Sequence, residues 1–366
     1  MTAGAGNATR EHVFPVIVVG AGPGGLAASR QLRHHGIEHL VLDQGDLGES
    51  WRNMPATLHL VSPWWTNVLS FRDVLRHWPF SMVSAADYAT YLAAFARRHG
   101  IEVLGGCRVD AIDRPGGDGA PFVLATSKGQ LHCRAVIIAT GYFSNPVGPV
   151  PAPQHDGSIP VVHAASYPGT EAIARLCAGK PALIVGRRIS AGQLMVELAD
   201  SGLSVALSTR QPVEFRRDGL LGNAKDFIYY FYEELLMKFK PELRAPSFPV
   251  MDGGRSRQMV ESGQVMAHPE ITAVREGRVT FRDGSSLEPG VILLATGYRP
   301  ALPALQSLPI RRLEDDLPAC IRWQADGVPG LYFLGLDNRM NYRSRTIRGI
   351  RSDAAGIAAQ LRRRPA

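Results

Sequence analysis

Two stretches of the chain repeat one pattern: an apolar run, a glycine turn, an apolar stripe at helical spacing, and a second apolar run. In the first, Val16-Ile17-Val18-Val19 reads as a buried strand and Gly20-Ala21-Gly22-Pro23-Gly24-Gly25 as a turn, with a helix running on to His35. Gly36 stops that helix, and His39-Leu40-Val41-Leu42-Asp43 is the next strand. In the second, Ala182-Leu183-Ile184-Val185-Gly186 is a strand entering a turn, and Ser190 to Asp200 is a helix closed by Gly202. Leu203 to Ser208 is its second strand, ending in Thr209-Arg210. Each stretch is a βαβ unit, the building block of a parallel sheet.

The segments between fit the same architecture. Asp87 to Ala96 has apolar residues at helical spacing, with Ser84 as its N-cap and Gly100 as its stop. Ile101 to Leu104 is a strand. Arg108 to Asp113 and Phe122 to Thr126 predict a small antiparallel layer joined by the turn Pro115 to Gly119. Val279 to Ser285 predicts a hairpin with an Asp-Gly turn. Phe227 to Tyr232 is aromatic and helical, either a packed core helix or the lining of a cleft. Two buried strands end alike, in Ala139-Thr140-Gly141-Tyr142 and Ala295-Thr296-Gly297-Tyr298. Small residues there permit a close crossing, where the backbone changes domain or meets a cofactor.

Composition narrows the class. The 366 residues are 45% hydrophobic and 20% charged, enough for two or more cored domains. No apolar run approaches the roughly eighteen residues that span a bilayer. Met1 to Arg10 is small and polar, a loose arm without a signal-peptide core, so a cytoplasmic location is expected. The net charge of +7 comes mainly from dispersed arginines, without the basic stripe and interleaved aromatics of a nucleic-acid binder. The four cysteines form no CxxC pair, which points away from a metal site and from a redox disulfide.

The glycine turn carries chemistry. Gly20 allows a tight turn, Gly22 lets backbone approach a pyrophosphate, and Gly25 lets the helix lie close on the sheet. With Pro23 and Gly24 opening the helix, free N–H groups and a partial positive charge face the phosphates. Asp43, with Gln44 after it, ends the second strand where a carboxylate accepts from a ribose. In the second unit Gly186 and Ala191 fit the first and third glycine positions, but Arg188 takes the second. Arg188 either binds the phosphates through its guanidinium or closes the site. Ser190 opens the helix, and Arg210 at the strand end suits a ribose 2′-phosphate, hence NADP.

On these residues the chain resembles class B flavin-dependent monooxygenases, close to the compact bacterial and plant YUCCA-type members. The turn at Gly20 to Gly25, Gly48-Glu49-Ser50-Trp51-Arg52, Ala295 to Pro300, and Gly330 to Gly335 with Arg348 to Ala354 carry the resemblance. Gly157, His163 and Tyr167 answer to the family's glycine, histidine and aromatic signature, with a longer Gly-to-His spacing. The resemblance implies an α/β fold of two Rossmann-like domains, with an NADPH domain inserted into an FAD domain. FAD would occupy residues 1–160 and 291–366, and NADPH residues 161–290. Ser50, Trp51, Arg52, Ala295, Thr296, Gly297 and Arg345 would contact cofactor. Arg52, Asn53 and Asn67, in or near the loop Ser62 to Asn67, would face the flavin and the substrate. NADPH would reduce FAD, O2 would add at the flavin, and a peroxyflavin would oxygenate a small organic substrate at nitrogen, sulfur or a carbonyl. Neither nucleic acid nor membrane is expected as a partner, and a homo-oligomer fits the family. Two alternatives stay open: an FAD oxidase or dehydrogenase that has lost NADPH use, and a non-catalytic FAD-binding protein.

Overall fold

The computed structural model describes residues 12–363 apart from 56–57, 150–151, 214, 216–227, 229, 234, 237–238, 240–253, 301, 315 and 338–339. The arm at Met1 to Arg10 lies outside the described residues, as do Phe227 and Tyr229 of the aromatic helix. The chain divides into two compact units, Met1–Glu49 with Thr90–Gly141 and Ala301–Ala366, and Ser50–Ala89 with Tyr142–Pro300.

Ten short strands form the parallel parts of two sheets. They are β1 (Val13–Val19), β2 (His39–Leu42), β3 (Val103–Leu104), β4 (Gly129–Ile138), β5 (Val161–His163), β6 (Ala182–Val185), β7 (Val205–Ser208), β8 (Met266–His268), β9 (Val291–Leu294) and β10 (Leu331–Phe333). Three helices matter most: α1 (Pro23–His34), α2 (Ile189–Asp200) and α3 (Ile347–Arg362).

In the first unit the parallel order is β10-β4-β1-β2-β3. In the second it is β5-β9-β6-β7-β8. Laid side by side, β4 answers to β9, β1 to β6, β2 to β7 and β3 to β8. The outer strand beside β4 comes last in the chain, whereas the one beside β9 comes first. Between the third and fourth matched strands each unit inserts an antiparallel meander. In the first it is Val109–Asp113 and Phe122–Thr126 running into β4. In the second it is Ile271–Arg275, Arg278–Phe281 and Ser286–Leu287, with the expected turn at Asp283-Gly284.

The cores follow from the apolar runs. Ile17, Val18, Val136 and Ile137 are fully buried in the first sheet, and Leu183 and Ile184 in the second. Sheets covered on both faces demand such continuous runs rather than alternation. Helix Ala85–Arg98 begins at Ser84, whose hydroxyl accepts from Asp87 N at 3.0 Å.

One expectation is overturned. β9 does not open a return segment of the first unit; it lies between β6 and β5 in the second sheet. The strand that returns to the first sheet is β10, beside β4. The divisions fall after Gly141 and Pro300 rather than at 160 and 290, and residues 50–89 group with the second unit. The physical reason is the duplication itself. Val291-Ile292-Leu293-Leu294-Ala295-Thr296-Gly297 is the second unit's copy of the strand ending in Ala139-Thr140-Gly141, and each copy needs its own.

Candidate functional site

In the first unit, β1 ends in a turn with no room for side chains. Gly20 has φ of +105°, and its N–H donates to Leu42 O at 2.7 Å. A Cβ there would lie 2.5 Å from Ala139 O. Gly25 brings α1 onto this turn, since its Cβ would lie 1.7 Å from Gly20 O. Gly24 packs beside Ala139 and Leu334, at 3.4 and 3.7 Å from where its own Cβ would stand. Gly22 is different. It is the N-cap of α1, Pro23 follows within the first turn, and a Cβ on Gly22 would meet nothing within 4 Å. The turn is thus closed toward the protein and open at the helix N-terminus, whose first N–H groups have no partner within the helix and suit an anion.

Asp43 holds the turn in place. Its carboxylate accepts from Ala21 N at 2.6 Å and from Gly45 N at 3.0 Å. These bonds leave further lone pairs for a ribose hydroxyl. Gln44, next in line, is exposed.

At the start of α3, Thr346 caps the helix by accepting from Gly349 N. Arg345 donates to Asp337 Oδ2 at 2.8 Å, so its charge is already paired. Asp353 is buried in the second turn of α3, and burial pushes its carboxyl up to about 6, against the pull of Trp323, Ser344 and the Arg343 guanidinium. A carboxyl raised in the folded state binds its proton more tightly there than in the unfolded chain. Stability therefore falls as pH rises from the unfolded value of about 3.9 to about 6, then levels off. Asp353→Asn is expected to melt higher than wild type above that range, by up to about 3 kcal/mol, and to lose the slope. Thermal unfolding across the range checks this, and lower stability at every pH would show that Arg343 needs the anion.

The second unit repeats the turn in detail. Gly186 N donates to Ser208 O at 3.1 Å, and a Cβ on Gly186 would lie 2.5 Å from Ala295 O. Ala295 N donates to Val185 O at 2.8 Å, as Ala139 N donates to Val19 O at 2.8 Å. The two Ala-Thr-Gly phrases thus do one job, each crossing tightly over the first glycine of its own sheet. Ala295, Thr296 and Gly297 therefore belong to the second turn; the Thr296 hydroxyl donates to Val147 O.

Arg188 is the N-cap of α2, as Gly22 is of α1. Gly192 N donates to Arg188 O at 3.1 Å, the counterpart of Leu26 N to Gly22 O at 3.0 Å. Its backbone is extended, so arginine sits there without strain, and the side chain is exposed. Ala191, only 2% exposed, takes the place of Gly25. Ser190 lies in the first turn of α2, half-buried. At the far end of β7 the register corrects one expectation. Thr209 N donates to His268 O just as Asp43 N donates to Leu104 O. Thr209, not Arg210, therefore stands at Asp43's position, and Arg210 matches Gln44. Arg210 lies 3.9 Å from Glu270, which also holds Arg282 at 2.5 Å.

The remaining predicted residues, Ser50 to Asn53 and Asn67, lie in the second unit, where Tyr88 meets the Trp51 ring and donates its hydroxyl to Asn67 O at 3.0 Å. Trp51 is half-buried, its ring 4.6 Å from Tyr88 and 6.0 Å from Phe143. Ser50, Arg52 and Asn53 are exposed. Asn67 is turned inward rather than toward a substrate. Its Nδ2 donates to the carbonyls of Ser62 and Pro63 at 2.8 and 3.0 Å, and its Oδ1 accepts from Ser62 Oγ at 3.1 Å. A loop this short needs an internal bracket, and the amide supplies it.

Two features escaped the sequence reading. Rings run in file from Trp51 through Phe143 to Tyr298, at 5.2 Å for the second step, and on to His163 at 5.3 Å. Glu197 of α2 accepts from both Tyr167 and Thr170, at 2.8 and 2.7 Å. Of the predicted signature, His163 thus meets the Tyr298 ring and Tyr167 bonds Glu197, both within the second unit; burial lowers the His163 pKa and raises that of Tyr167. Among the described residues no cluster of His, Cys, Asp and Glu is arranged to hold a metal ion.

The chain thus carries two glycine turns of one design, each locked under an Ala-Thr-Gly strand end. The family model for pyridine nucleotide-disulphide oxidoreductases matches residues 17–221. The chain belongs to this family. The oxidoreductase is 24% identical over 356 residues to a CzcO-like oxidoreductase of Geobacillus kaustophilus, covering 94% of this chain and 97% of that one. It is 25% identical over 393 residues to indole-3-pyruvate monooxygenase YUCCA1 of Oryza sativa subsp. japonica, covering 96% and 92%. Its fold matches the flavin-containing monooxygenase of Stenotrophomonas maltophilia with a TM-score of 0.74 at 23% identity, covering 94% and 97%. Such relatives bear out the resemblance to class B flavin monooxygenases. No helix of the oxidoreductase, among the described residues, is long and apolar enough to cross a membrane.

Proposed function

We propose that this oxidoreductase is an FAD-dependent, NADPH-using monooxygenase that oxygenates a small organic substrate with O2. The duplicated turn carries the reading, since a two-nucleotide chain suits a flavin reduced by a nicotinamide. When bound, FAD would supply the redox and oxygen chemistry. The first unit would hold its pyrophosphate at Gly22 and the N-terminus of α1, with Asp43 at the ribose. The second unit would hold NADPH at the N-terminus of α2, with the Arg188 guanidinium on the pyrophosphate and Thr209 and Arg210 at the ribose end. In the second unit, Asn67 would act by bracketing its own loop rather than by touching substrate. Purified protein should be yellow and release FAD, not FMN, on denaturation.

The family's description also names disulphide chemistry, and the cysteines speak against it here. Cys107, Cys133 and Cys177 are buried, and burial pushes the Cys133 thiol up to about 12. Cys320 gives its S–H to Pro318 O. A thiol–disulfide catalyst needs an accessible thiolate of lowered pKa.

Cofactor choice gives a direct test. Charge-assisted bonds to a phosphate are worth about 1.5–3 kcal/mol. Arg210→Ala should therefore raise KM for NADPH about tenfold or more and leave NADH use nearly unchanged. Equal losses with both nucleotides would assign Arg210 to its contact with Glu270 instead.

A further inference from the structure

We propose that the segment Phe71 to Met82 docks the second unit on an anionic membrane surface. Phe71, Leu75 and Trp78 are 65%, 88% and 71% exposed. A polypeptide rarely leaves three large apolar side chains so close together in water without a use for them.

Their exposure is built into a braced turn. The 3₁₀ helix Phe71–Arg76 is fixed from beneath by Trp64, which is fully buried and whose Nε1 donates to Asp73 O and Val74 O at 3.2 and 2.9 Å. Asp73 is also buried, and its carboxylate accepts from Arg76 Nε at 3.0 Å. Trp78 opens a second turn, closed by Ser81 N and Ser81 Oγ donating to its carbonyl at 2.9 and 2.7 Å. Asp73 and the backbone carbonyls of Asp73 and Val74 are thus bonded beneath the turn, while Phe71, Leu75 and Trp78 are left exposed above it.

Charge selects the occupant. Arg72, Arg76 and His77 are exposed among these apolar residues. The one acid from Phe71 to Met82 is Asp73, buried and paired with Arg76. Apolar and aromatic groups beside cations, without exposed acids, fit the interface of an anionic bilayer. A two-fold contact with a second copy would set Arg72 and Arg76 against their own symmetry mates. A second apolar stripe lies on the helical residues near 230, where Phe231, Leu235 and Phe239 are 63%, 44% and 78% exposed. Tyr230 of that helix contacts Trp65, next to the Trp64 that braces the first turn. The contact would be peripheral, with no span across the bilayer, and it revises the expectation that no membrane is a partner.

Cosedimentation of the full-length protein with vesicles tests the proposal, using phosphatidylcholine alone and phosphatidylcholine mixed with phosphatidylglycerol. Wild type should bind the anionic vesicles at least about tenfold more tightly than the neutral ones, and added salt should weaken this. Leu75→Ser with Trp78→Ser should cost about tenfold or more in anionic-vesicle binding, with the melting temperature and flavin content of wild type as the check on folding. Arg72→Glu should weaken binding to anionic vesicles only. No wild-type binding to anionic vesicles, or equal binding by the double variant, would overturn the proposal. Concentration-dependent dimers abolished by the double variant, without vesicle binding, would overturn it too and make the face a contact between copies.

Discussion

Gly22→Ala is expected to give a folded protein that has lost its flavin, whereas Gly25→Ala is expected to give little folded protein at all. The two glycines lie in one turn and differ in what surrounds them. A methyl on Gly25 would stand 1.7 Å from Gly20 O, a backbone atom that cannot move while β1 and α1 keep their places. Such overlap forces the helix off the sheet, a loss on the order of 4 kcal/mol or more from a fold whose whole stability is of similar size. A methyl on Gly22 meets no protein atom within 4 Å, so the fold tolerates it. It fills the space that the pyrophosphate needs. The ratio of flavin absorbance to protein absorbance should drop at least about tenfold in purified Gly22→Ala, with an unchanged circular dichroism spectrum. A yellow Gly22→Ala protein would show that the opening at α1 is not where the flavin lies.

Arg188→Ala is the second variant with a large expected effect. Arg188 caps α2 with ordinary extended backbone, so removing its side chain leaves the turn intact. If its guanidinium clamps the pyrophosphate, the variant loses a charge-assisted contact and KM for NADPH rises by about ten- to a hundredfold with kcat little changed. That contact is ionic, so wild type should show a steeper salt dependence than the variant. A wild type inert to NADPH, with flavin reduction appearing only in Arg188→Ala, would mean that the arginine closes the site. The chain would then be an oxidase or dehydrogenase that has given up the nicotinamide.

Local structure was legible where the chain's own chemistry decides it. The strand–turn–helix at Gly20, the Ser84 cap and the Asp283-Gly284 hairpin depend on neighbours in sequence, and each formed where the pattern placed it. Sheet membership was not legible for β9. Its apolar run and Ala-Thr-Gly ending repeat those of β4, and either copy could have closed either sheet; pairing with β6 and β5 decides the matter only in three dimensions. The resemblance pointed to Asn67 as a substrate-facing residue, yet an asparagine in a short loop is equally able to bracket its own backbone, and here it does. Arg210 was placed one residue off because the end of β7 is set by Thr209 bonding to His268 on β8, a contact between distant residues. Tyr167 stood in the signature, but its bond with Thr170 to Glu197 was not legible, since the two meet Glu197 only when α2 packs beside the segment at 167–170.

Under the proposed function, one chain carries FAD in the first unit and accepts reducing equivalents from NADPH in the second. Anaerobic mixing of the purified yellow protein with NADPH, followed by flavin absorbance, tests it most directly. The flavin band should bleach with NADPH, far more slowly with NADH, and return when O2 is admitted. A flavin band that persists under NADPH would mean that the flavin takes no electrons from this nucleotide.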